Sequence, residues 1–490
     1  MLILYAQASA PGFLQLWVGV YGTESPGPLA FTIDRVAAQP LAPVQFTPIR
    51  DGRSGPGGAP LNHRAIARFK MATAGQRHLV EVTCGAESRE LATSTLPDEL
   101  PQTLDGSFNI LLGSCYYQPE DSAGLLGTIV SQIQIQPQLV LLAGDQIYGD
   151  LPLFEDLPDD EPGLSQRLGD KYQTNWASTQ LRVPGLEPVL ARAPVATIPD
   201  DHEFWNNFPF RQKQLPNTWQ DASRKRWQQA AQALYEDYQL AADPAHAGAT
   251  RLDVLPLRML MLDMRCARDD TFHDMLNPAG VAALDAWVAD LLADRNDGRP
   301  GVGLLSSGQV IFIDPPTSDG KKRDVDAEMG NYAQFERIEK AITTLVDAGV
   351  PVVYVTGDVH WGRVASGDDR TRPNRHLLYE VICSPSRLIR TPLVDASKET
   401  LASARGIFGK KDPWPRHTEP ETPPPFFGAQ SRFAVTCEFK QRGDQVAMLS
   451  FARAGNGVDL NVRYYGIHPD KSLQQSRPVR TLQLRPLEGD

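Results

Sequence analysis

The apolar positions of the chain follow two different periods, and the change from one to the other maps its organisation. From Leu2 to Val82 they form short runs rich in β-branched and aromatic side chains, such as Leu14-Gln15-Leu16-Trp17-Val18, broken by clusters such as Gly55-Pro56-Gly57-Gly58. That pattern predicts strands joined by turns, a small N-terminal β domain over residues 1–95. Leu96-Pro97-Asp98-Glu99-Leu100-Pro101 combines poor helix and strand formers with charge and predicts a linker over 96–106. Beyond Gly106, strand-like apolar runs alternate with helical periodicity, the layout of βαβ units and a layered α/β core over 107–390. Three helical stripes are legible. Trp227, Ala231, Leu234 and Tyr238 form one; Val281, Leu284, Val288 and Leu291 form a second, opened by Asn277-Pro278. Tyr332, Phe335, Ile338, Ile342 and Leu345 form the third, closed by Gly349-Val350-Pro351. Residues 391–430 are Pro-rich, include Pro423-Pro424-Pro425 and keep no period, which predicts an irregular excursion of the kind that drapes over a site as a lid. Three alternating strands then close the chain over 431–490 and complete the core: Phe433 to Phe439, Val446 with Met448, and Val458 to Tyr464.

Composition narrows the partners. The 490 residues exceed the size at which single cores stop growing, and 41% apolar with 22% charged residues is ordinary for a globular protein. No stretch reaches the roughly 18 unbroken apolar residues of a membrane span. No Lys or Arg precedes Arg35, so no basic export signal is visible and a cytoplasmic location is the expectation, an exported mature form remaining open. A net charge of -11 disfavours the phosphate-backbone attraction behind nucleic-acid binding. The five cysteines, Cys84, Cys115, Cys266, Cys383 and Cys437, are widely spaced and form no C-x-x-C pair, which argues against a disulfide framework or a structural zinc site.

The chemistry collects where apolar runs end. Phe108 to Leu112 leads into Gly113-Ser114-Cys115, and Leu139 to Ala143 into Gly144-Asp145-Gln146-Ile147-Tyr148. Val195 to Ile198 leads into Pro199-Asp200-Asp201-His202-Glu203, and Val352 to Thr356 into Gly357-Asp358-Val359-His360. Ligands of open α/β sheets sit outside the carboxyl ends of the strands, so four such ends can converge on one site. Asp145 can bridge two cations, Tyr148 can add a phenolate, and the Cys115 thiolate and Asp358 raise the anionic charge to a level that suits an ion such as ferric iron, with His360 as a neutral ligand. Singly, each has an ordinary reading: Cys115 as a core thiol, the aspartates as turn or cap residues, Tyr148 as a packed aromatic.

Taken in order, GSC at Cys115, GDQIYGD from Gly144, PDDHEFWNN from Pro199, LDMRCAR from Leu262 and GDVHWG from Gly357 resemble the PhoD-like alkaline phosphatases and phosphodiesterases, within the calcineurin-like metallophosphoesterases, from Gly113 to about Arg387. The resemblance implies a layered β-sandwich flanked by helices and metal-dependent hydrolysis of small phosphate esters. It implies iron (Fe3+) held by Cys115, Asp145 and Tyr148 with His360, and calcium or another divalent cation held by Asp201, Asn207 and Asp358, with Asp145 shared. Aspartates stand at Asp201 and Asp358 where purple acid phosphatases carry asparagine and histidine, which favours a harder, oxygen-loving second ion. His202 matches the histidine that gives a proton to the leaving oxygen. The expected mechanism is in-line attack on phosphorus by a metal-bound hydroxide, with Arg265 and Arg363 as candidates to clamp the phosphate. A cysteine-nucleophile phosphatase is disfavoured because Asp121 occupies the place of the arginine six residues after the cysteine. The other alternative is a non-catalytic binding protein on an inert phosphoesterase scaffold.

Overall fold

Strands that are apolar at every position must be covered on both faces, and the central strands of this chain are of that kind. The computed structural model describes residues 1–103, 106–152, 157–240, 248–312, 329–370, 376–387, 432–441, 443–476 and 478–487. Its strands are β1 (Leu2–Gln7), β2 (Phe13–Tyr21), β3 (Leu29–Ile33), β4 (Val36–Ala38), β5 (Thr47–Pro48), β6 (Asn62–Lys70), β7 (Arg77–Cys84), β8 (Glu87–Ser94), β9 (Phe108–Gly113), β10 (Leu139–Ala143) and β11 (Val195–Ile198). They continue with β12 (Ala249–Val254), β13 (Leu257–Leu262), β14 (Val302–Ser306), β15 (Val352–Thr356), β16 (Gly362–Asp369), β17 (His376–Ile382), β18 (Phe433–Gln441), β19 (Gln445–Ala454), β20 (Gly457–Gly466), β21 (Gln474–Gln475) and β22 (Leu482–Leu484). The helices that cover them are α1 (Leu125–Gln132), α2 (Glu161–Trp176), α3 (Ser178–Leu181), α4 (Glu187–Leu190), α5 (Asp221–Tyr238), α6 (Pro278–Asn296) and α7 (Phe335–Asp347).

Two large sheets make the sandwich. One runs β21-β20-β19-β9-β10-β11-β1-β2-β6-β5 with β22 beside β20, and the other runs β12-β13-β14-β15-β17-β16-β18. Each has a parallel centre, β9-β10-β11-β1 in the first and β13-β14-β15-β17 in the second. Side chains alternate between the two coverings. Ile110, Leu112, Leu139, Leu141 and Ala143 of the first sheet meet Met259, Leu304, Val353 and Val355 of the second in the seam between them. Their neighbours Leu111, Val140 and Leu142 face α1, α2 and α5, whereas Leu260, Leu305, Val352 and Tyr354 face α6 and α7. The result is four layers, helix, sheet, sheet, helix. Each Leu or Val closed into them contributes on the order of 1.5–3 kcal/mol.

The helical stripes fall on α5, α6 and α7. Trp227, Ala231, Leu234 and Tyr238 are buried on α5. On α6 the Asn277 side chain caps the first turn by accepting from Gly280 N at 2.7 Å, with Leu284 and Leu291 buried and Val281 and Val288 partly so. α7 begins at Phe335, so Tyr332 precedes the helix yet packs into the same core.

The N-terminal segment is organised differently from the separate β domain expected over 1–95. β1 pairs in parallel with β11, Gln7 opposite Val195, and brings β2 and β6 into the first large sheet. Only β3, β4, β7 and β8 form a sheet of their own, which covers the other face of β1 and β2. The cause is that β1 and β2 are apolar on both faces and need a covering on each. Of the 96–106 segment, residues 96–103 are strapped down, with Leu96 and Leu100 buried and Leu100 N donating to Leu255 O at 2.8 Å. In the C-terminal segment β19 pairs with β9, and β18 pairs with β16. The Pro-rich 391–430 excursion lies outside the described residues. All five cysteines are free thiols, and no described helix is long and apolar enough to cross a membrane.

Candidate metal centre

The carboxyl ends of β9, β10, β11 and β15 lie side by side, and the turns that follow them are packed backbone against backbone. Gly144 has φ +97°, and a Cβ there would sit 2.7 Å from the Asp200 Cβ. A Cβ on Gly357 would come within 2.5 Å of the Ala143 carbonyl. These glycines let the residues that follow them meet. The strain is then carried by those residues. Ten described non-glycine residues have positive φ, and five of them are candidate ligands: Cys115 (+54°), Asp145 (+58°), Asn207 (+59°), Asp358 (+64°) and His360 (+63°). Such a conformation costs on the order of 1–3 kcal/mol each and clusters at functional sites. Half of the left-handed side-chain positions among the described residues therefore surround one point.

Cys115 Sγ lies 3.3 Å from Asp145 Oδ2 and 3.6 Å from the Asp358 carbonyl. Carboxylate oxygens of Asp145, Asp200 and Asp358 lie within 4.8 Å of one another, and so do those of Asp145 and Asp201 with a ring nitrogen of His202, so Asp145 is common to both groups. Asn207 N donates to Asp201 Oδ2 at 2.5 Å, and the Asn207 Oδ1 is buried without a hydrogen bond. The Tyr148 hydroxyl and Asp200 Oδ2 are likewise buried with no hydrogen bond of good geometry. Burial pushes the Cys115 thiol well above its usual range, and Asp145 and Asp358 add to it. Burial does the same to Asp145, reinforced by Asp201 and Asp200 against the charge of His202, and to Tyr148, reinforced by Cys115 and Asp145. Crowded oxygen and sulfur donors that hold their protons in this way, beside orphaned acceptor atoms, fit a site completed by cations, which reverse that balance. By chemistry the candidate donors form two sets, thiol, phenol and imidazole against carboxylate and amide oxygens.

His202 is set beside this cluster. Its Nδ1 lies 2.7 Å from Asp150 Oδ1, its backbone N donates to Asp145 Oδ1 at 3.2 Å, and the Tyr148 ring packs on its imidazole at 4.2 Å. Burial opposes the imidazolium, but Asp150, then Asp201 and Asp145, push its pKa well above the usual value.

Arg265 meets the cluster at Asp200, whereas Arg363 is engaged by Glu380. Arg265 is 1% exposed and gives Nε to Asp200 Oδ1 at 2.6 Å and Nη1 to Phe208 O at 3.1 Å. A carboxylate as buried as Asp200 requires such a partner. Arg363 pairs with Glu380 and donates to Phe312 O at 2.9 Å.

Several supporting residues escaped the sequence reading. Ser384 Oγ lies 3.1 Å from Cys115 Sγ and accepts from His360 N at 3.2 Å, and no motif marks it. Asp150, the orienting partner of His202, stands within the GDQIYGD string, five residues after Asp145. Glu203 accepts from Asp145 N at 3.0 Å, Gln146 N at 2.7 Å and Asp200 N at 2.8 Å, tying the ends of β10 and β11 together. Burial pushes its carboxyl up to about 7 against the pull of those amides. Arg268 holds Gln309 Oε1 at 2.6 Å, and Gln309 Nε2 reaches Asp358 Oδ2 at 3.5 Å.

A cluster of candidate cation ligands at the carboxyl ends of parallel strands, in a two-sheet sandwich covered by helices, is the arrangement expected of a metal-dependent hydrolase. Within it, the model of the PhoD-like phosphatase family matches residues 111–391, more than half of the sequence, and the chain belongs to that family. It is thus a phosphoric ester hydrolase of a metal-dependent family. A solved structure titled "Structure of PhoD" shares the fold, with 13% identity, a TM-score of 0.61, and coverage of 99% of this chain and 90% of that chain. The crystal structure of TT1561 of Thermus thermophilus is 9% identical over 57% of this chain and 90% of that chain, and its TM-score of 0.23 carries no argument. No curated protein matches the sequence significantly.

Proposed function

We propose that the chain hydrolyses small phosphate mono- or diesters with iron and calcium, or another divalent cation in place of calcium, as its metals. The observation that carries this reading is the left-handed set Cys115, Asp145, Asn207, Asp358 and His360 gathered at one end of the sandwich. Cys115, Asp145, Tyr148 and His360 supply the thiolate, phenolate and imidazole donors that suit a ferric ion, and Asp201, Asn207 and Asp358 the oxygens that suit calcium, with Asp145 between them. Bound there, the cations would polarise water and neutralise charge on the phosphoryl oxygens. The protein's own groups do the rest. Asp150 fixes the ring of His202 through Nδ1, which leaves Nε2 to hand a proton to the leaving oxygen. Ser384 and the Asp358 carbonyl hold the sulfur of Cys115, and Glu203 holds the main chain of Asp145 and Asp200. A net charge of -11 supports a small ester over a nucleic acid.

Element analysis of the purified chain, with hydrolysis of nitrophenyl phosphate and its bis-ester before and after strong chelation, tests this. Iron and calcium should be found, and activity should collapse on chelation and return with both ions. Activity indifferent to chelators would end the reading.

A further inference from the structure

We propose that Lys171 is a positioning residue for this site: its ammonium fixes the Tyr148–Leu151 segment and so sets both the Tyr148 phenol and the Asp150 carboxylate that orients His202. The inference rests on the roles given above to Tyr148 and His202. Lys171 projects from α2, and its Nζ donates to the carbonyls of Tyr148 at 2.9 Å, Gly149 at 3.2 Å and Leu151. An ammonium has three hydrogens, and all three go to main-chain oxygens of one segment. Outside any strand or helix, those carbonyls have no ladder partners, Tyr148 O taking only a long contact from Leu151 N at 3.5 Å, so a buried loop needs such a donor. A compact ammonium serves three oxygens converging on one nitrogen better than the planar fork of arginine would.

The same face of α2 does this twice. Asn175, one turn on from Lys171, donates Nδ2 to the Gln146 carbonyl at 2.9 Å. Together the two side chains hold the whole run from Gln146 to Leu151. On its other side the segment is pressed against the His202 turn. Gly149 N donates to His202 O at 2.8 Å, and a Cβ on Gly149 would stand 3.0 Å from the Phe204 carbonyl. Asp150 leaves the segment to grip His202 Nδ1 at 2.7 Å and Asn206 N at 3.0 Å, while the Tyr148 ring lies on the imidazole. A shift of this backbone therefore moves the phenol and the carboxylate together, and with them the imidazole. A plain stabilising staple would make the same three hydrogen bonds, so the test must read the orientation of His202 as well as stability.

Lys171→Met, His202→Ala and the double variant are compared on nitrophenyl phosphate, a good leaving group, and phenyl phosphate, a poor one. Lys171→Met should lose kcat on phenyl phosphate by about tenfold to a hundredfold more than on nitrophenyl phosphate, the cost of a misplaced catalytic group. KM should hardly move, and the double variant should be no more leaving-group dependent than His202→Ala. In the chelated full-length chain, the downfield Nδ1–H proton resonance of His202 should shift or broaden in Lys171→Met. If Lys171→Met does not fold, Lys171→Arg, which keeps the charge, should show the resonance change in weaker form. An unchanged resonance in a folded variant overturns the proposal, and so does an equal loss on both esters where His202→Ala discriminates between them. Should His202→Ala itself lose equally on both, the proton-donor role fails, and the resonance alone decides the part played by Lys171.

Discussion

Glu203→Gln changes one atom of a side chain that is completely buried, so its effect can be worked out bond by bond. Glu203 Oε2 accepts from Asp145 N at 3.0 Å and Asp200 N at 2.8 Å, and Oε1 accepts from Gln146 N at 2.7 Å and Gln239 Nε2 at 3.4 Å. A glutamine must put an NH2 group at one of these places. At the Oε2 position it would confront two main-chain N–H groups. At the Oε1 position it confronts one, because Gln239 can turn its amide and present Oε1, a buried atom with no partner. The second arrangement wins and leaves the Gln146 N–H unsatisfied, a cost of about 1–3 kcal/mol. Above about pH 7, where the Glu203 carboxyl is ionised, the bonds to Asp145 N and Asp200 N also lose their charge assistance, roughly 1 kcal/mol each. Relief from burying a charge offsets part of this, so the net destabilisation is about 2–4 kcal/mol. The two amides begin the turns after β10 and β11, so the same change loosens Asp145 and Asp201. A displacement near 1 Å there lowers turnover by about a hundredfold. Urea denaturation gives the first quantity and hydrolysis of nitrophenyl phosphate the second. A variant that unfolds and turns over like the parent would refute the claim that Glu203 joins the two strand ends.

What was legible in the sequence was what is local. The run Leu139 to Ala143 followed by Gly-Asp marks a strand end within seven residues, and the spacing of Trp227, Ala231, Leu234 and Tyr238 marks a helix face, so four turns and three helices could be placed before any contact was known. What was not legible depends on partners far along the chain. Ser384 reaches Cys115 across 269 positions, and nothing near a serine records that. β1 reads as part of a separate β domain because its partner β11 is so distant in the chain; Gln7 opposite Val195, and Ala8 N on Val195 O, reveal the shared sheet. The surroundings of the arginines were hidden for a different reason. Residue type is the same for a phosphate clamp and for a buried ion pair, and only the fold shows Asp200 beside Arg265 and Glu380 beside Arg363. Asp150 was visible but unassigned, since its role exists only through the loop that turns it toward His202.

Cys115→Ser keeps an oxygen in place of sulfur and the hydrogen bond from Ser384, so the chain should fold, yet it should lose its most tightly held metal in element analysis and at least about tenfold in kcat/KM. Full metal content in the variant would remove Cys115 from the ligand set. Far from the site, Asp294→Asn tests whether the second sheet is tied to α6 by charge. Arg258 grips Asp294 with Nε at 2.5 Å and Nη2 at 3.0 Å, Arg299 adds Nη2 at 2.9 Å, and the carboxylate is 5% exposed. Burial acts against ionisation, but the two guanidinium groups hold the Asp294 carboxyl below its ordinary range. A depressed folded pKa means that the stabilisation is fully present above the unfolded value near 3.9 and is lost as pH falls through the folded value. The asparagine variant should therefore be weaker than the parent at pH 7 by about 1.5–3 kcal/mol, the worth of hydrogen bonds to a charged group. The gap in urea midpoint should narrow only below about pH 4, where the parent's own carboxylate takes up its proton. A gap of the same size at pH 7 and in strong acid would mean that shape, not charge, joins β13 to α6.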